Sequence, residues 1–235
     1  MKNFLLDILF PVSCLSCGKE NDWLCDDCLK KINLLSFQVC PVCEKSITED
    51  GLACPNCKAR SHLDALLVAA RYKEGGLDKF VHLYKYRFIE DLHIPFGKIL
   101  TQRLLSSSLP IADIIVPVPL HPRRLRWRGF NQSKLLAEHI SRNIAPGLEI
   151  SVAENILQRR RYTPPQMKVK KYSERKANLQ DAFAIGSPEP IKGKSILLVD
   201  DISTTGATLF ECARILKENG AKKVFAAVIS RQEFA

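Results

Sequence analysis

Ile196-Leu-Leu-Val-Asp200-Asp201-Ile-Ser203-Thr204-Thr205-Gly206-Ala207-Thr208-Leu209 is the stretch that decides the fold. Ile196 to Val199 are uninterruptedly apolar, which marks a strand covered on both faces, since a half-exposed strand alternates. Two carboxylates follow at its C-terminal end, then a hydroxyl-rich turn, then a helix over Ala207 to Asn219 stopped by Gly220. Lys223 to Ser230 is another apolar run. Strand, loop, helix and strand in this order form a βαβ unit, so the domain is α/β with a parallel sheet.

Ligands of open α/β sheets gather outside the carboxyl ends of the strands. The amides of Ser203, Thr204, Thr205, Gly206, Ala207 and Thr208, at a helix N-terminus, suit a phosphate. Asp200 and Asp201 would repel a bare phosphate, but as acceptors they match the vicinal hydroxyls of a sugar. Phosphate on one side and diol on the other specify a ribose phosphate. The segment has neither a P-loop lysine nor the Gly-x-Gly-x-x-Gly dinucleotide fingerprint.

Working outward, Leu63 to Tyr72 reads as the strand that opens this domain, and Gly75-Gly76 as a turn. Leu77 to Ser106 has helical spacing interrupted near Pro95, hence two helices. Ile111 to Val118, between Pro110 and Pro119, is a buried strand followed by a basic loop. Asn131 to Ile144 is a helix, and Asn131 suits its N-cap as well as it suits a ligand contact. Residues 158 to 177 are basic, contain proline and have weak periodicity, as a flap would. Cys212 reads as a small packed side chain of its helix.

The composition, 46% hydrophobic and 26% charged, excludes a disordered or fibrous chain. No apolar run reaches the ~18 residues of a membrane span. Met1 to Pro11 contains Asp7 and no small-residue cleavage motif before Cys14, so it reads poorly as a secretory signal. A cytoplasmic protein without membrane insertion is expected. The net charge is +10, and residues 121 to 180 account for it, with fourteen Lys or Arg against four acids. Such local charge favours a phosphate-bearing ligand or nucleic acid at one place.

Four Cys-x-x-Cys pairs occupy the head: Cys14/Cys17, Cys25/Cys28, Cys40/Cys43 and Cys54/Cys57. Each pair turns two thiolates toward one cation, and two pairs close a tetrahedron, so two structural zinc ions are expected. Cross-braced pairing would satisfy the count. The short, turn-like segments within each set favour the sequential sets 14, 17, 25, 28 and 40, 43, 54, 57. Disulfides do not suit a reducing compartment, and two complete thiolate sets leave no open position for catalysis. His62 reads as a surface residue. Residues 1 to 60 carry seven bases against eight acids, which gives the head no electrostatic hold on nucleic acid.

The segment Val199 to Thr208 resembles the phosphoribosyl-pyrophosphate binding motif of type I phosphoribosyltransferases. More of the chain resembles the ComF family, through the cysteine head, Val116-Pro-Val-Pro-Leu-His-Pro-Arg-Arg124, and Arg128-Gly-Phe-Asn-Gln132. Arg159, Thr163, Gln166, Arg175, Asn178 and Phe183 extend the likeness over nearly the whole chain. The resemblance implies a type I phosphoribosyltransferase-like parallel-sheet core at 61–235 and a small double zinc-ribbon-like domain at 1–60. It gives Asp200 and Asp201 the ribose hydroxyls and residues 203 to 208 the 5-phosphate. The loop after Val118, with Arg124 and Arg128, takes the pyrophosphate, and magnesium accompanies phosphoribosyl pyrophosphate. It also implies competence, DNA uptake and natural transformation, with DNA-uptake or recombination proteins as partners.

Arg159, Arg160, Arg161, Lys168, Lys170 and Lys171 are the expected contacts to single-stranded DNA, with Tyr162 and Tyr172 available for stacking. Three readings remain at this point. One is a DNA-uptake accessory protein that binds single-stranded DNA and a ribose-phosphate ligand. The second is a phosphoribosyltransferase acting on an unidentified base or nucleotide, and the third is a docking scaffold. No purine, pyrimidine or orotate hood is readable; Lys85 and Tyr86, ahead of a core strand, have a place near the site but no assigned role.

Overall fold

The computed structural model describes residues 12–163, 181–186 and 191–232. The head contributes α1 (Asp26–Leu29), β1 (Gln38–Val39), β2 (Ile47–Thr48) and α2 (Pro55–Lys58). The core contributes β3 (Ala65–Arg71), α3 (Leu77–Tyr86), α4 (His93–Leu105), β4 (Ile114–Pro117), α5 (Pro122–Arg128) and α6 (Gln132–Asn143). It continues with β5 (Leu157–Arg159), β6 (Phe183–Ile185), β7 (Ser195–Ser203), α7 (Ala207–Glu218) and β8 (Lys223–Arg231).

The main sheet has the order β3-β8-β7-β4, with every pair parallel. Side chains alternate across it, as the period of two requires. On one face Leu67, Leu197, Val199, Phe225 and Ala227 pack with Tyr84, Phe96, Leu100, Leu136 and Ile140 of α3, α4 and α6. On the other, Leu66, Val68, Val116, Leu198, Ala226 and Val228 pack with Leu209, Cys212, Ala213 and Leu216 of α7. Both faces are covered, which is why the strands are uniformly apolar. The predicted crossover β7-α7-β8 is present. Gly220 at φ +95 ends α7, with the Gly220 amide donating to the Lys217 carbonyl (3.0 Å) and that of Ala221 to Leu216 (3.0 Å). This is the paired C-terminal closure that glycine permits.

Three local expectations change. The interruption between α3 and α4 falls at Arg87 to Leu92, where Phe88 has φ 58, and Pro95 lies inside α4. Proline is tolerated there because first-turn amides lack intrahelical partners anyway. The basic loop after β4 contains α5, with Pro122 in its first turn and the His121 ring accepting the Arg123 amide at 3.1 Å. The start of the flap, Leu157–Arg159, is strand β5, antiparallel to β6.

The head lies along the free edge of β3. The Gln38 side chain donates to the Val68 carbonyl (3.0 Å) and accepts the Val68 amide (2.9 Å), and the Leu35 amide donates to the Ala69 carbonyl (2.9 Å). Cys14, Leu24, Cys25, Cys28 and Ile32 belong to the same apolar cluster as Leu77 and Phe96. The exposed sheet edge is thereby paired rather than left open.

Candidate functional site

The strands converge on a cleft at their carboxyl ends. Tyr72 follows β3, Val118 follows β4, Asp200 and Asp201 come from β7, and Gln232 follows β8; all line a cavity of about 700 Å³. The acidic pair lies within β7 rather than beyond it, with Asp200 in register with Val228 of β8.

Asp200 Oδ1 accepts the Ser133 hydroxyl at 2.8 Å and the Asp201 amide at 2.9 Å. Asp201 Oδ1 accepts the Ile202 amide at 2.6 Å and pairs with Lys85 Nζ at 3.0 Å. Withdrawal from water, reinforced by the Asp201 charge, pushes Asp200 up to about 7, against the pull of Lys85 and the Ser133 bond. Burial works against the Lys85 charge, but Asp201 and Asp200 outweigh it and hold the ammonium above its ordinary range.

The hydroxyl loop reverses through Gly206, whose φ is +75, and α7 begins at Ala207. A Cβ at Gly206 would also lie 2.9 Å from the Phe210 ring, so both conformation and space favour glycine. Thr204 and Thr208 line the cavity, while Ser203, Thr205 and Ala207 are buried. The Thr205 hydroxyl accepts the Ala207 amide at 3.4 Å, and the buried Ser203 hydroxyl has no hydrogen-bond partner among the described residues.

Opposite the acidic pair stand the arginines. Arg128 Nη1 donates to Gln132 Oε1 at 2.6 Å, and the Tyr84 hydroxyl donates to the Gln132 carbonyl at 3.1 Å. Asn131 caps α6 by accepting the Ser133 amide and donates to the Val118 carbonyl at 3.1 Å. Arg124 Nη2 donates to the Thr163 carbonyl at 2.7 Å, and Arg159 Nη2 to the Thr163 hydroxyl at 2.6 Å. Five cations, Lys85, Arg123, Arg124, Arg128 and Arg159, line the cavity against the two aspartates. Among the described residues none of these four arginines has a carboxylate partner within ion-pair distance. Arg128 and Arg159 each keep a buried Nε without a hydrogen-bond partner among the described residues. Such a surplus of buried donors is complementary to a multiply charged anion.

The structure separates the three consecutive arginines. Arg159 is 8% exposed, lies over the Phe183 ring at 5.1 Å and faces the cleft, whereas Arg160 and Arg161 are exposed. Burial, with the nearby charge of Arg124, lowers Arg159 to about 10, which leaves it a cation at neutral pH. They therefore do not form one exposed patch. Lys168, Lys170 and Lys171, with Gln166, Arg175 and Asn178, lie outside the described residues.

Lys85 and Ser133 are site residues to which the sequence assigns no role. No local pattern marks them, because a fold-level meeting of α3, α6 and β7 brings them to the aspartates.

In the head, Cys14, Cys17, Cys25 and Cys28 form one cluster and Cys40, Cys43, Cys54 and Cys57 another, with all sulfurs of each set within 4.8 Å of one another. The sequential sets are the ones formed. Cys17 and Cys25 sulfurs are 3.7 Å apart and those of Cys43 and Cys54 3.9 Å. Sulfurs ~2.3 Å from a tetrahedral zinc lie about 3.8 Å from each other, so the spacing fits two zinc sites, each made wholly of thiolates. It is far longer than the ~2.05 Å of a disulfide. His62, just beyond the head, is exposed and belongs to neither set.

Residues 5–58 match the double zinc ribbon domain and residues 132–233 the phosphoribosyl transferase domain. The chain is 31% identical over 220 residues to the DNA utilization protein YhgH of Escherichia coli (strain K12), covering 86% of this chain and 93% of that protein. It is 28% identical over 225 residues to competence protein F of Haemophilus influenzae, covering 92% and 95% respectively. Competence protein ComFC of Bacillus subtilis (strain 168) is 26% identical over 220 residues, covering 86% of this chain and 81% of that protein. Among the described residues no helix is long and apolar enough to cross a membrane.

Proposed function

The chain belongs to the ComF family, and from that premise we propose that it binds phosphoribosyl pyrophosphate with magnesium in its cleft and handles single-stranded DNA in the cytoplasm during natural transformation. The observation that carries the ligand is the pairing of Asp200 and Asp201 at a strand end with five surrounding cations. A ribose diol supplies donors to the two carboxylates, and a pyrophosphate supplies acceptors to Arg124 and Arg128. The 5-phosphate belongs at Ser203 to Thr208, at the start of α7.

The donor set also suits magnesium, which prefers carboxylate oxygen. Among the described residues, hydrogen bonds to both aspartates fall on Oδ1, so each retains Oδ2 as an acceptor. Asp200 and Asp201 would hold the ion, which supplies neutralisation of the pyrophosphate charge. The names of the relatives, a DNA utilization protein and two competence proteins, support the DNA-handling half of the reading.

A second reading, phosphoribosyl transfer to a base or nucleotide, is favoured by the room in the cleft: about 700 Å³ is more than a ribose with its phosphates fills. One titration series tests both. Calorimetry with phosphoribosyl pyrophosphate and magnesium should show saturable binding that is lost in Asp200→Asn/Asp201→Asn. Pyrophosphate release with bases, nucleotides or single-stranded DNA would establish transfer. Absence of binding by folded wild-type protein would overturn the ligand assignment.

A further inference from the structure

The cleft rim carries aromatic rings that the ribose-phosphate reading does not use. On α5, Arg123, Arg124, Trp127 and Arg128 all face the cavity, at the i, i+1, i+4 and i+5 spacing of one helix side. Trp127 is 60% exposed, although a Trp side chain usually buries most of its large apolar surface. It is not loosely placed. Phe88 meets it edge-on, with ring centres 4.9 Å apart and planes at 85°. Phe88 holds this position from a left-handed backbone, φ 58, a conformation that is costly for a bulky side chain and clusters at ligand sites. Tyr86, at the end of α3, lines the same cavity and is 36% exposed.

We propose that Trp127, braced by Phe88, is a stacking platform for a nucleobase at the rim of the ribose-phosphate cleft, with Arg123 taking a phosphate that flanks that base. The chemistry follows from the alternation on α5. An indole offers a π-face that every base matches, while the Arg123 guanidinium one turn away on the same helix side offers a charge to a backbone phosphate. A further exposed ring at the rim, Tyr162, lies under Arg123 and Arg124 at 5.1 and 5.5 Å, so those arginines are held in place. The inference rests on the proposed function and deepens it by naming where the base sits, and it requires no turnover.

The chain has two tryptophans, so Trp23→Phe leaves Trp127 as its sole indole. Titrating this variant with a twelve-residue oligothymidylate should quench its fluorescence, because a stacked base is a close-contact quencher. An abasic strand of the same length and charge should bind through phosphates and leave the emission nearly unchanged. Thymidine monophosphate quenching at similar concentration would identify the base as a small acceptor's, whereas quenching by the oligonucleotide alone would assign it to a strand; either supports the platform. Equal quenching by the abasic strand, or none by any ligand, would overturn it. In the native chain, Trp127→Ala should lose roughly tenfold in oligothymidylate affinity and Trp127→Phe much less. Equal affinities of folded Trp127→Ala and wild type would overturn the proposal even if the Trp23 variant is unstable. Calorimetry with phosphoribosyl pyrophosphate on the same preparations reports separately on the donor site, so a missing donor does not masquerade as a missing platform.

Discussion

Glu44 and Arg231 form an ion pair that joins the second zinc knuckle to the hydroxyl loop of the cleft. Glu44 directly follows the thiolate Cys43 and has a left-handed backbone, φ 58. Arg231, at the end of β8, is in register with Ser203 and donates through Nε to the Thr204 carbonyl at 3.4 Å. The guanidinium thus holds the loop through Nε and the head through Nη2. The head is therefore coupled to the site and does more than cover a sheet edge. Glu44→Gln should keep two zinc ions per chain yet lower affinity for phosphoribosyl pyrophosphate, by roughly two- to fivefold for a partly exposed pair. Arg231→Gln should do the same, and the double variant should be little worse than either single one. Zinc analysis with calorimetry on all three checks this; additive losses would show that the residues act independently.

The two adjacent aspartates should affect stability in opposite directions. Asp200 sits at about 7 in the folded chain against its ordinary 3.8, because of burial and the Asp201 charge. Between those pH values the unfolded chain has released this proton while the folded chain still holds it, so stability declines as pH rises through the window. Asp200→Asn removes the decline. Its Tm should match wild type near pH 4 and exceed it at pH 8, by roughly 3–6 °C. Asp201→Asn leaves the largely buried Lys85 without its 3.0 Å counter-ion and should be less stable by about 1–3 kcal/mol. Thermal melts at pH 4, 6 and 8 read both, and a destabilised Asp200→Asn at pH 8 would contradict the electrostatics described.

Loss of the head should damage the core. Gln38 and Leu35 occupy backbone groups of β3, and Cys14, Cys25 and Cys28 are part of the apolar cluster that includes α3 and α4. Deleting residues 1 to 60 bares the edge strand, and self-association visible by size-exclusion chromatography is the expected result. Cys14→Ser should reduce zinc from about two ions per chain toward one and lower the Tm of the whole protein. A monodisperse, fully stable truncated core would show that the edge needs no cover.

What can be read from the sequence is local. Ile196 to Val199, Gly206, Gly220 and the Cys-x-x-Cys pairs each announce themselves through neighbours a few positions away, and their strand, turn, helix stop and ligand sets are as expected. Helix α5 is not legible because it has no buried residue, so no apolar periodicity marks it, and its cap is a histidine rather than Ser, Thr, Asp or Asn. Lys85 and Ser133 reach the cleft only because distant elements meet there. Arg159 departs from expectation for the same reason. A run of three arginines looks solvated, but β5 pairs with β6 and its alternation turns the first inward.

That alternation separates two roles within the basic run. Arg160 and Arg161 are exposed, whereas Arg159 is packed against Phe183 and bonded to Thr163 at 2.6 Å. If single-stranded DNA follows this surface, the exposed pair supplies phosphate contacts and Arg159 does not. Neutralising Arg160 and Arg161 together should weaken binding across unrelated sequences and reduce the logarithmic salt slope by roughly 1.4, at ~0.7 per contact. Arg159→Gln should leave the slope unchanged. Its expected effects are weaker binding of phosphoribosyl pyrophosphate and a lower Tm, since the side chain holds Thr163 and faces the cleft. Titrations between low and moderate salt, run beside calorimetry with phosphoribosyl pyrophosphate, distinguish the two. An Arg159 variant that loses salt dependence while retaining donor affinity would place the buried arginine on the DNA path and remove it from the cleft.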